Sequence, residues 1–400
     1  MAMLASQIKD YLDRASWIRR MFEAGIELKK QYGEDAVCDF SLGNPDLPPP
    51  PAVKTALREI AEAADKPFAI GYMPNPGYPD VRAALAAQLS KEQGLSVAAG
   101  DVILTCGAAG GLNAFFRAVL EPCDEVVCPA PFFVEYGFYV QNFGGGLVPV
   151  KALPPDFGLD VPAMAAAINE KTRVVLINSP NNPTGAIYPR EQLEALAKVL
   201  REKSALHGRP IYLVSDEPYR FLAYDNAEVP SLLSIHEHSV VASSFSKNLS
   251  LAGERVGYLL VNPAMPGKEE LLAGLVLTTR ILGFVNAPAI GQKILAKALG
   301  SQVDVSIYAA RRKAMAEVLS AAGIEFAMPK GGFYFFPKAP GGDDLTFVKK
   351  LQEQRILGVP GTGFGYPGFF RLAFCVGEKV IRRSEEGFKR AVGYSGLQSS

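Results

Sequence analysis

The chain has 400 residues, which is enough for about two domains. Its 41 lysine and arginine residues balance 41 aspartate and glutamate residues, so its net charge does not favour binding to nucleic acid or to an anionic membrane. Five scattered cysteines without C-x-x-C spacing indicate a reduced, cytoplasmic protein, and the three histidines, His207, His236 and His238, argue against a histidine triad or a histidine metal cluster.

The N-terminal segment is predicted to be helical, because the apolar residues from Ser6 to Tyr32 follow a helical period. Charged residues within that pattern, such as Lys9 and Asp10, argue against a signal peptide. No apolar run approaches the roughly 20 residues that span a bilayer, so we expect no membrane segment. The proline-rich stretch from Ser41 to Pro50 predicts a crossing between domains.

Between about residues 100 and 290, short apolar runs alternate with amphipathic helical stretches such as Gly110–Leu120 and Arg190–His207. This alternation is typical of a mostly parallel sheet that is covered by helices on both faces. Seven runs are predicted to be its strands: Val102–Thr105, Glu125–Cys128, Leu147–Val150, Arg173–Asn178, Ile211–Ser215, Val240–Ser243 and Val256–Val261.

The pattern changes after about residue 290, where two long helices, Ile290–Leu299 and Val305–Ala322, are followed by short β-rich pieces. This composition predicts a smaller α+β domain that also includes the N-terminal segment. The expected fold class is therefore α/β, with a large domain over residues 46–289 and a small domain formed by residues 1–45 and 290–400. Ligands in such folds bind at the carboxyl ends of the strands.

A turn of small residues, Thr105-Cys106-Gly107-Ala108-Ala109-Gly110-Gly111, follows the first predicted strand of the sheet. Small residues there let backbone N–H groups at a helix start approach a phosphate, which the helix dipole also favours. The alternative is a turn that binds nothing. After the next strand, Phe132 and Phe133 offer a flat apolar partner for an aromatic ring, although adjacent phenylalanines are usually part of a core.

Two polar motifs follow later strands. The stretch from Asn178 to Gly185 ends in Asn-Pro-Thr-Gly, which is a turn signature. Asp216 ends a buried strand, where a carboxylate is costly without a cationic partner. A protonated pyridine nitrogen would be such a partner, and an ordinary loop cap is the alternative.

The stretch Ser244-Phe245-Ser246-Lys247 ends an apolar run, and Arg255 follows between glycines. A desolvated lysine has a lowered pKa, and its neutral amine can form a Schiff base with an aldehyde. Two serine hydroxyls and an arginine suit a phosphate. An aldehyde and a phosphate on one cofactor indicate pyridoxal 5′-phosphate, whereas a strand end followed by a polar loop is the alternative.

In order and approximate spacing, these motifs resemble the class I and II aminotransferases of fold type I, and the resemblance covers nearly the whole chain. Each motif then has an implied contact with the cofactor. The implied contacts are Ala108, Ala109, Ser244, Ser246 and Arg255 with the phosphate, Phe133 with the ring face, Asn182 and Tyr219 with the phenolic oxygen, Asp216 with the ring nitrogen, and Lys247 with the aldehyde.

The resemblance also implies contacts with the substrate and with a second subunit. Gly43 and Asn182 match substrate contacts of the family, and Arg371, a lone charge inside an apolar strand, matches the arginine that binds the α-carboxylate. Tyr72 matches the tyrosine that reaches the phosphate in the neighbouring subunit, which implies a homodimer with shared sites. No metal ion is implied.

The function that the resemblance implies is transfer of an amino group between an L-amino acid and a 2-oxo acid such as 2-oxoglutarate, with Lys247 carrying the proton. Aspartate is the first choice of donor on family frequency. Arg280 lies near the segment that receives a distal carboxylate in some relatives, but a surface or dimer contact is an equal alternative. A β-eliminating carbon–sulfur lyase on the same fold and a non-catalytic regulator are the alternative functions.

Overall fold

The structure, a computed structural model, describes residues 3–13 and 17–393. Both ends of the predicted N-terminal helix are helical, and residues 14–16 lie outside the described part. The helices in the described part are α1 (Ser6–Asp13), α2 (Trp17–Tyr32), α3 (Pro51–Glu62), α4 (Pro79–Gln93), α5 (Gly107–Val119), α6 (Glu135–Gln141), α7 (Val161–Ala167), α8 (Arg190–His207), α9 (Lys268–Ile281), α10 (Ala289–Ala298), α11 (Val305–Ala321), α12 (Asp344–Glu353), α13 (Glu378–Arg383) and α14 (Glu385–Val392).

The strands in the same residues are short and lie between these helices. They are β1 (Cys38–Asp39), β2 (Val102–Thr105), β3 (Glu125–Ala130), β4 (Gly146–Lys151), β5 (Thr172–Asn178), β6 (Tyr212–Asp216), β7 (Ser239–Ser244), β8 (Gly257–Val261), β9 (Tyr334–Phe335), β10 (Ile356–Leu357), β11 (Val359–Pro360) and β12 (Phe370–Ala373).

The central sheet has seven strands in the order β2-β8-β7-β6-β5-β3-β4. Strand β8 is antiparallel to both of its neighbours, whereas β3 to β7 pair in parallel. The seven predicted strands all occur, within one or two residues of the predicted ends. The prediction of an α/β fold with a mostly parallel sheet is therefore confirmed.

Burial on both faces explains why the strands of the sheet other than the partly exposed β4 are continuous apolar runs. In β5, Val174 and Leu176 pack on one face with Phe115 of α5, and Val175 and Ile177 pack on the other face with residues of α8. Each fully buried aliphatic side chain contributes roughly 1.5–3 kcal/mol. Alternating side chains therefore tie the sheet to both helical layers, and its carboxyl edge is held as a rigid base for the loops that follow.

The N-terminal and C-terminal segments meet in a second body. Strand β1 pairs in parallel with β10, and β11, β12 and β9 form a small antiparallel sheet. Phe40 from the N-terminal segment stacks on Phe388 of α14, with ring centres 6.4 Å apart. These contacts place the first and last parts of the chain around one hydrophobic core.

The packing of α10 bears on where the two domains divide. Its residues Ile294 and Leu295 belong to the hydrophobic cluster that contains β2 and β8, whereas Val303 and the residues of α11 belong to the other core. Since α10 packs in this cluster together with α3 and α4, we propose a large domain that ends near residue 300 rather than at residue 289. The start of the large domain at residue 46 stays a prediction.

No helix within residues 3–13 and 17–393 is both long enough and apolar enough to span a membrane. In the same residues, no group of three or more His, Cys, Asp and Glu side chains has the arrangement of a metal site.

Candidate active site

A cavity of about 280 Å³ lies at the carboxyl ends of β5, β6 and β7. Parallel strands bring the residues that follow them to one edge of a sheet, so motifs that are distant in sequence meet there. Twelve of the thirteen predicted site residues line it: Gly43, Ala108, Ala109, Phe133, Asn182, Asp216, Tyr219, Ser244, Ser246, Lys247, Arg255 and Arg371.

Lys247 lies three residues beyond the end of β7. Its Nζ donates a hydrogen bond of 2.7 Å to the backbone oxygen of Gly43, which belongs to the proline-rich connector. Burial lowers the pKa of Lys247 to about 8, and the nearby charges of Arg255 and Arg371 act in the same direction. A lysine with this pKa is partly neutral near pH 7, and its amine can attack an aldehyde.

The N-terminus of α5 forms one end of the cavity. Ala108 and Ala109 lie in the first helical turn, whose N–H groups have no partner within the helix. A Cβ atom on Gly107 would lie only 2.9 Å from Nη2 of Arg255, and Gly107 has a φ of +71°. Glycine at this position therefore lets the Arg255 guanidinium come close to the helix start, and the two together favour an anion.

Two hydroxyls and the arginine complete this end of the cavity. Ser244, at the end of β7, pairs with Gly257 at the start of β8, and Arg255 lies two residues before Gly257. Ser246 is buried and lines the same space. None of the ion pairs among the described residues involves Arg255. A phosphate group would supply the missing negative charge.

Asp216 ends β6 and is only 7% exposed. The hydroxyl of Tyr136 donates a hydrogen bond of 2.6 Å to its Oδ2, while its Oδ1 is buried without any partner among the described residues. Burial raises the pKa of Asp216 to about 7, against the opposing effect of the Tyr136 hydrogen bond. An unpartnered carboxylate oxygen that lines a cavity indicates a ligand with a cationic or N–H group at this point.

Arg371 lies in β12 and is 2% exposed. Its Nη1 donates to Oδ1 of Asn182 over 3.1 Å, its Nη2 donates to the backbone oxygen of Ser41, and its Nε has no partner in the described part of the chain. The rings of Tyr334 and Phe364 lie with their centres 4.9 Å from its Cζ. The guanidinium is thus held in one orientation, but none of the carboxylates in the described residues pairs with it, which suits the binding of an anionic substrate.

Two aromatic residues predicted for the site, Tyr219 and Phe133, also line the cavity. Tyr219 is buried, and its hydroxyl lies 2.9 Å from the hydroxyl of Tyr334. Phe133 lines the cavity and contacts Tyr136 edge to face, with ring centres 5.5 Å apart. These aromatic walls are suitable for a flat heteroaromatic ring.

Tyr72 and Arg280 do not line the cavity of their own chain. Tyr72 lies in a loop after α3 with 92% of its surface exposed, and Arg280 is exposed near the end of α9. The two segments are close together, since Asn75 donates to the backbone oxygen of Val285 over 3.0 Å. Both residues therefore belong to one surface of the molecule.

Sequence reasoning missed seven residues of the lining. Asn178 and Pro218 lie inside motifs that were recognised, and Tyr136 comes three residues after Phe133. A hydroxyl within an apolar run was the available signal for Tyr334. The seven residues are Leu112, Tyr136, Tyr139, Asn178, Pro218, Ala252 and Tyr334.

Residues 35–384 match the family model described as aminotransferase class I and II. The chain belongs to this family. The aspartate/prephenate aminotransferase of Thermus thermophilus is 34% identical over 382 residues, with 92% of this chain and 94% of that protein covered. The aspartate aminotransferase of Thermotoga maritima is 31% identical over 366 residues, with 90% and 91% covered.

Solved structures agree with this assignment. An aminotransferase from Eubacterium rectale has a TM-score of 0.92 and 37% identity, with 98% of both chains covered. The aspartate aminotransferase from Thermus thermophilus with maleate has a TM-score of 0.86 and 31% identity, with 98% of this chain and all of that chain covered. This aminotransferase therefore has the fold type I architecture, and the comparisons favour amino-group transfer over β-elimination or a non-catalytic role.

Aminotransferases of this class use pyridoxal 5′-phosphate, and the cavity of this aminotransferase fits that group. The orphaned Oδ1 of Asp216 matches a protonated ring nitrogen. The start of α5, beside Arg255, matches a phosphate, and the amine of Lys247 matches an aldehyde. The three groups surround one cavity, as a single ligand with those three features requires.

Proposed function

We propose that this aminotransferase moves an amino group from an L-amino acid, with aspartate as the first choice, to a 2-oxo acid such as 2-oxoglutarate, with pyridoxal 5′-phosphate as cofactor. The observation that carries the proposal is one cavity that contains the Lys247 amine, the free Asp216 oxygen and the Arg371 guanidinium. The bound cofactor supplies an aldehyde and a ring that withdraws electrons.

The charges around the cavity support binding of two anionic groups. Among the described residues of the lining, Lys247, Arg255 and Arg371 can carry a positive charge, and Asp216 is the one acidic residue. Buried charges need partners, so the cationic excess favours ligands with negative charge. We propose that Arg255 holds the phosphate of the cofactor together with the N-terminus of α5, and that Arg371 holds the α-carboxylate of the amino acid.

We assign contacts with the cofactor ring, and transfer of the substrate proton, to other residues of the cavity. Asp216 would keep the ring nitrogen protonated, Phe133 would cover the ring face, and Asn182 and Tyr219 would bind the phenolic oxygen. Lys247 would bind the cofactor between reactions and carry the substrate proton during them. Its pKa of about 8 suits a group that must both accept and donate a proton near neutral pH.

The choice of amino donor depends on one further cation. Aspartate has a second carboxylate, but the three cations in the lining already have roles. We propose that Arg280 from a second copy of the chain binds this carboxylate, since Arg280 lies on the same surface as Tyr72. The names of the Thermus and Thermotoga relatives support aspartate as the donor.

Replacing Arg280 by alanine should reveal the donor. If aspartate is preferred, Arg280→Ala should lower kcat/KM for aspartate and glutamate by roughly 10- to 100-fold, because the distal carboxylate loses a charge-assisted hydrogen bond. Alanine, which has no distal carboxylate, should be affected little. The measurement is a panel of amino donors with 2-oxoglutarate as acceptor, with the oxo acid products identified.

The matched control for this panel is Lys198→Ala, which removes an exposed cation from α8. It should leave the donor preference unchanged. Equal effects of Arg280→Ala on aspartate, glutamate and alanine would contradict a role for Arg280 and remove this structural support for a dicarboxylic donor.

We further propose a homodimer with shared active sites in the cytoplasm. Phe68 and Tyr72 are each 92% exposed, and Ile70 and Ile281 are also exposed. An exposed apolar surface of this kind is typical of a protein interface. The five cysteines are all unpaired, as expected in a reducing compartment.

Hybrid dimers should test whether Tyr72 acts across the interface. Lys247→Ala subunits and Tyr72→Ala subunits, co-expressed with different tags, should form hybrids in which one site has both Lys247 and Tyr72. We expect hybrids purified through both tags to have more activity per site than either parent. Hybrids of Lys247→Ala with the Lys247→Ala/Tyr72→Ala double variant contain no complete site and should remain inactive. A monomeric, active protein would contradict the proposal.

A further inference from the structure

Tyr334 connects several groups of the candidate site, although no motif pointed to it. Its hydroxyl lies 2.9 Å from the hydroxyl of Tyr219, and the face of its ring lies 4.9 Å from Cζ of Arg371. It is 2% exposed and lines the cavity. A Cβ atom on Gly43 would lie 2.0 Å from the hydroxyl oxygen of Tyr334. Tyr334 is therefore also packed against Gly43, whose backbone oxygen accepts the hydrogen bond from Lys247.

We propose that Tyr334 is a positioning residue that directs the hydroxyl hydrogen of Tyr219 towards the cofactor and fixes the plane of the Arg371 guanidinium. This inference rests on the proposed function, because it takes Tyr219 as a contact of the phenolic oxygen and Arg371 as the contact of the α-carboxylate. It goes beyond that function by assigning one residue to the coupling of both contacts.

The direction of the Tyr219 hydroxyl hydrogen follows from the number of hydrogens that the two tyrosine hydroxyls can donate. Each tyrosine hydroxyl has one hydrogen to donate. If Tyr219 donates its hydrogen to the phenolic oxygen, the bond between the two tyrosines must use the hydrogen of Tyr334. Tyr334 then donates to the oxygen of Tyr219, which makes Tyr219 a stronger donor, since hydrogen bonds in a chain polarise one another.

The fixed plane of the Arg371 guanidinium follows from the way in which this side chain is packed. Tyr334 and Phe364 present their rings to the guanidinium at the same distance of 4.9 Å. A cation next to an aromatic face is attracted to it, and the attraction is stronger when the cation is desolvated. Because Nη1 is also tied to Asn182, rotation of the guanidinium would require the loss of several contacts at once.

The Tyr334→Phe variant tests the hydroxyl. It should raise by about half a pH unit the pH at which the absorbance of the bound cofactor changes, because a weaker Tyr219 donor stabilises the phenolic oxygen less and the lysine nitrogen keeps its proton longer. The KM for the amino donor should change less than about twofold, since the ring beside Arg371 is retained. The measurements are an absorbance titration and steady-state kinetics.

Two further variants separate positioning from general structure. In a Tyr219→Phe background, Tyr334→Phe should add no further shift, because it acts through the Tyr219 hydroxyl. Tyr334→Leu also removes the ring face and should raise the KM of the amino donor by up to about tenfold. The control is Tyr224→Phe, which removes another buried hydroxyl, one that donates to Gly332, and should leave both the titration and the KM unchanged.

The outcomes distinguish this inference from the function on which it rests. Wild-type protein that binds no pyridoxal phosphate would overturn the proposed function and this inference with it. Wild-type protein that binds the cofactor and transfers amino groups, with an unchanged titration in Tyr334→Phe or a shift that adds to that of Tyr219→Phe, would overturn this inference alone. The phenylalanine variant keeps the ring, so the test does not depend on the folding of Tyr334→Leu.

Discussion

Replacing Lys247 by alanine is expected to abolish transamination and to remove the borohydride-fixable link between the protein and pyridoxal phosphate. The expected loss is at least about 10⁴-fold, since the variant lacks both the amine that binds the aldehyde and the group that moves the substrate proton. After borohydride treatment of the wild type, peptide mapping should find the cofactor on Lys247. The reduced adduct on any other lysine would contradict this assignment.

The control for this variant is Lys268→Ala. Lys268 is a partly buried lysine whose Nζ forms an ion pair of 2.8 Å with Oδ1 of Asp101. It lies outside the cavity lining. Its replacement should leave the absorbance of the bound cofactor and the rate of transamination close to wild type.

The lowered pKa of Lys247 adds a pH dependence. Only the neutral amine reacts with an aldehyde, and an unperturbed lysine becomes neutral around pH 10.4. Because the pKa of Lys247 is about 8, the rate at which cofactor-free protein takes up the aldehyde should rise with pH up to about 8 and then level off. A rate that continues to rise to pH 10 would indicate an exposed lysine instead.

The central sheet could be predicted because its physical cause is local. Strands that are buried on both faces must be continuous apolar runs, and the strands from β2 to β8 other than the partly exposed β4 are of this kind. The site motifs could be predicted for a similar reason. Each one lies at or just after the end of a strand, and the parallel arrangement brings those ends together. The positions of Asn182, Asp216 and Lys247 after successive strands are therefore sufficient to predict that they share a cavity.

The contacts that could not be predicted join distant parts of the chain. Tyr136 and Asp216 are 80 positions apart, and Tyr219 and Tyr334 are 115 apart. The local signal for Tyr334, a hydroxyl in an apolar run, is weak because a tyrosine in such a run is usually part of a core. The side on which α10 packs depends in the same way on tertiary contacts, so the periodicity of that helix could not show which domain it covers.

Replacing Asp216 by asparagine is expected to reduce transamination by roughly 10²- to 10⁴-fold while much of the cofactor stays bound. The asparagine keeps the size of the side chain and an oxygen for the Tyr136 hydroxyl, but it removes the charge that would keep the ring nitrogen protonated. The residues assigned to the phosphate are untouched. The measurements are turnover with the preferred donor and cofactor content by absorbance.

The control is Glu217→Gln, which changes the next buried carboxylate along the chain. Glu217 pairs with Arg220 over 3.0 Å and does not line the cavity, so its replacement should affect stability more than turnover. Near-normal turnover in Asp216→Asn would show that Asp216 is an ordinary strand-end residue.

The same substitution should stabilise the cofactor-free protein in alkaline solution. Burial raises the pKa of Asp216 from 3.8 to about 7, so the folded state binds a proton more tightly than the unfolded state does. The resulting stabilisation is complete below about pH 4 and is lost as the pH rises through about 7. Asparagine has no such loss, because it stays neutral at every pH.

We therefore expect the Tm of cofactor-free Asp216→Asn to exceed that of the cofactor-free wild type by a few degrees at pH 8, and by clearly less at pH 5. With pyridoxal phosphate bound, the order at pH 8 should reverse, because a ring nitrogen cation would then partner the free Oδ1 of the wild-type carboxylate. Thermal unfolding with and without cofactor at both pH values measures this. A wild type that is the more stable of the two at pH 8 without cofactor would mean that Asp216 already has a partner in the protein, and that its free oxygen is not reserved for the cofactor.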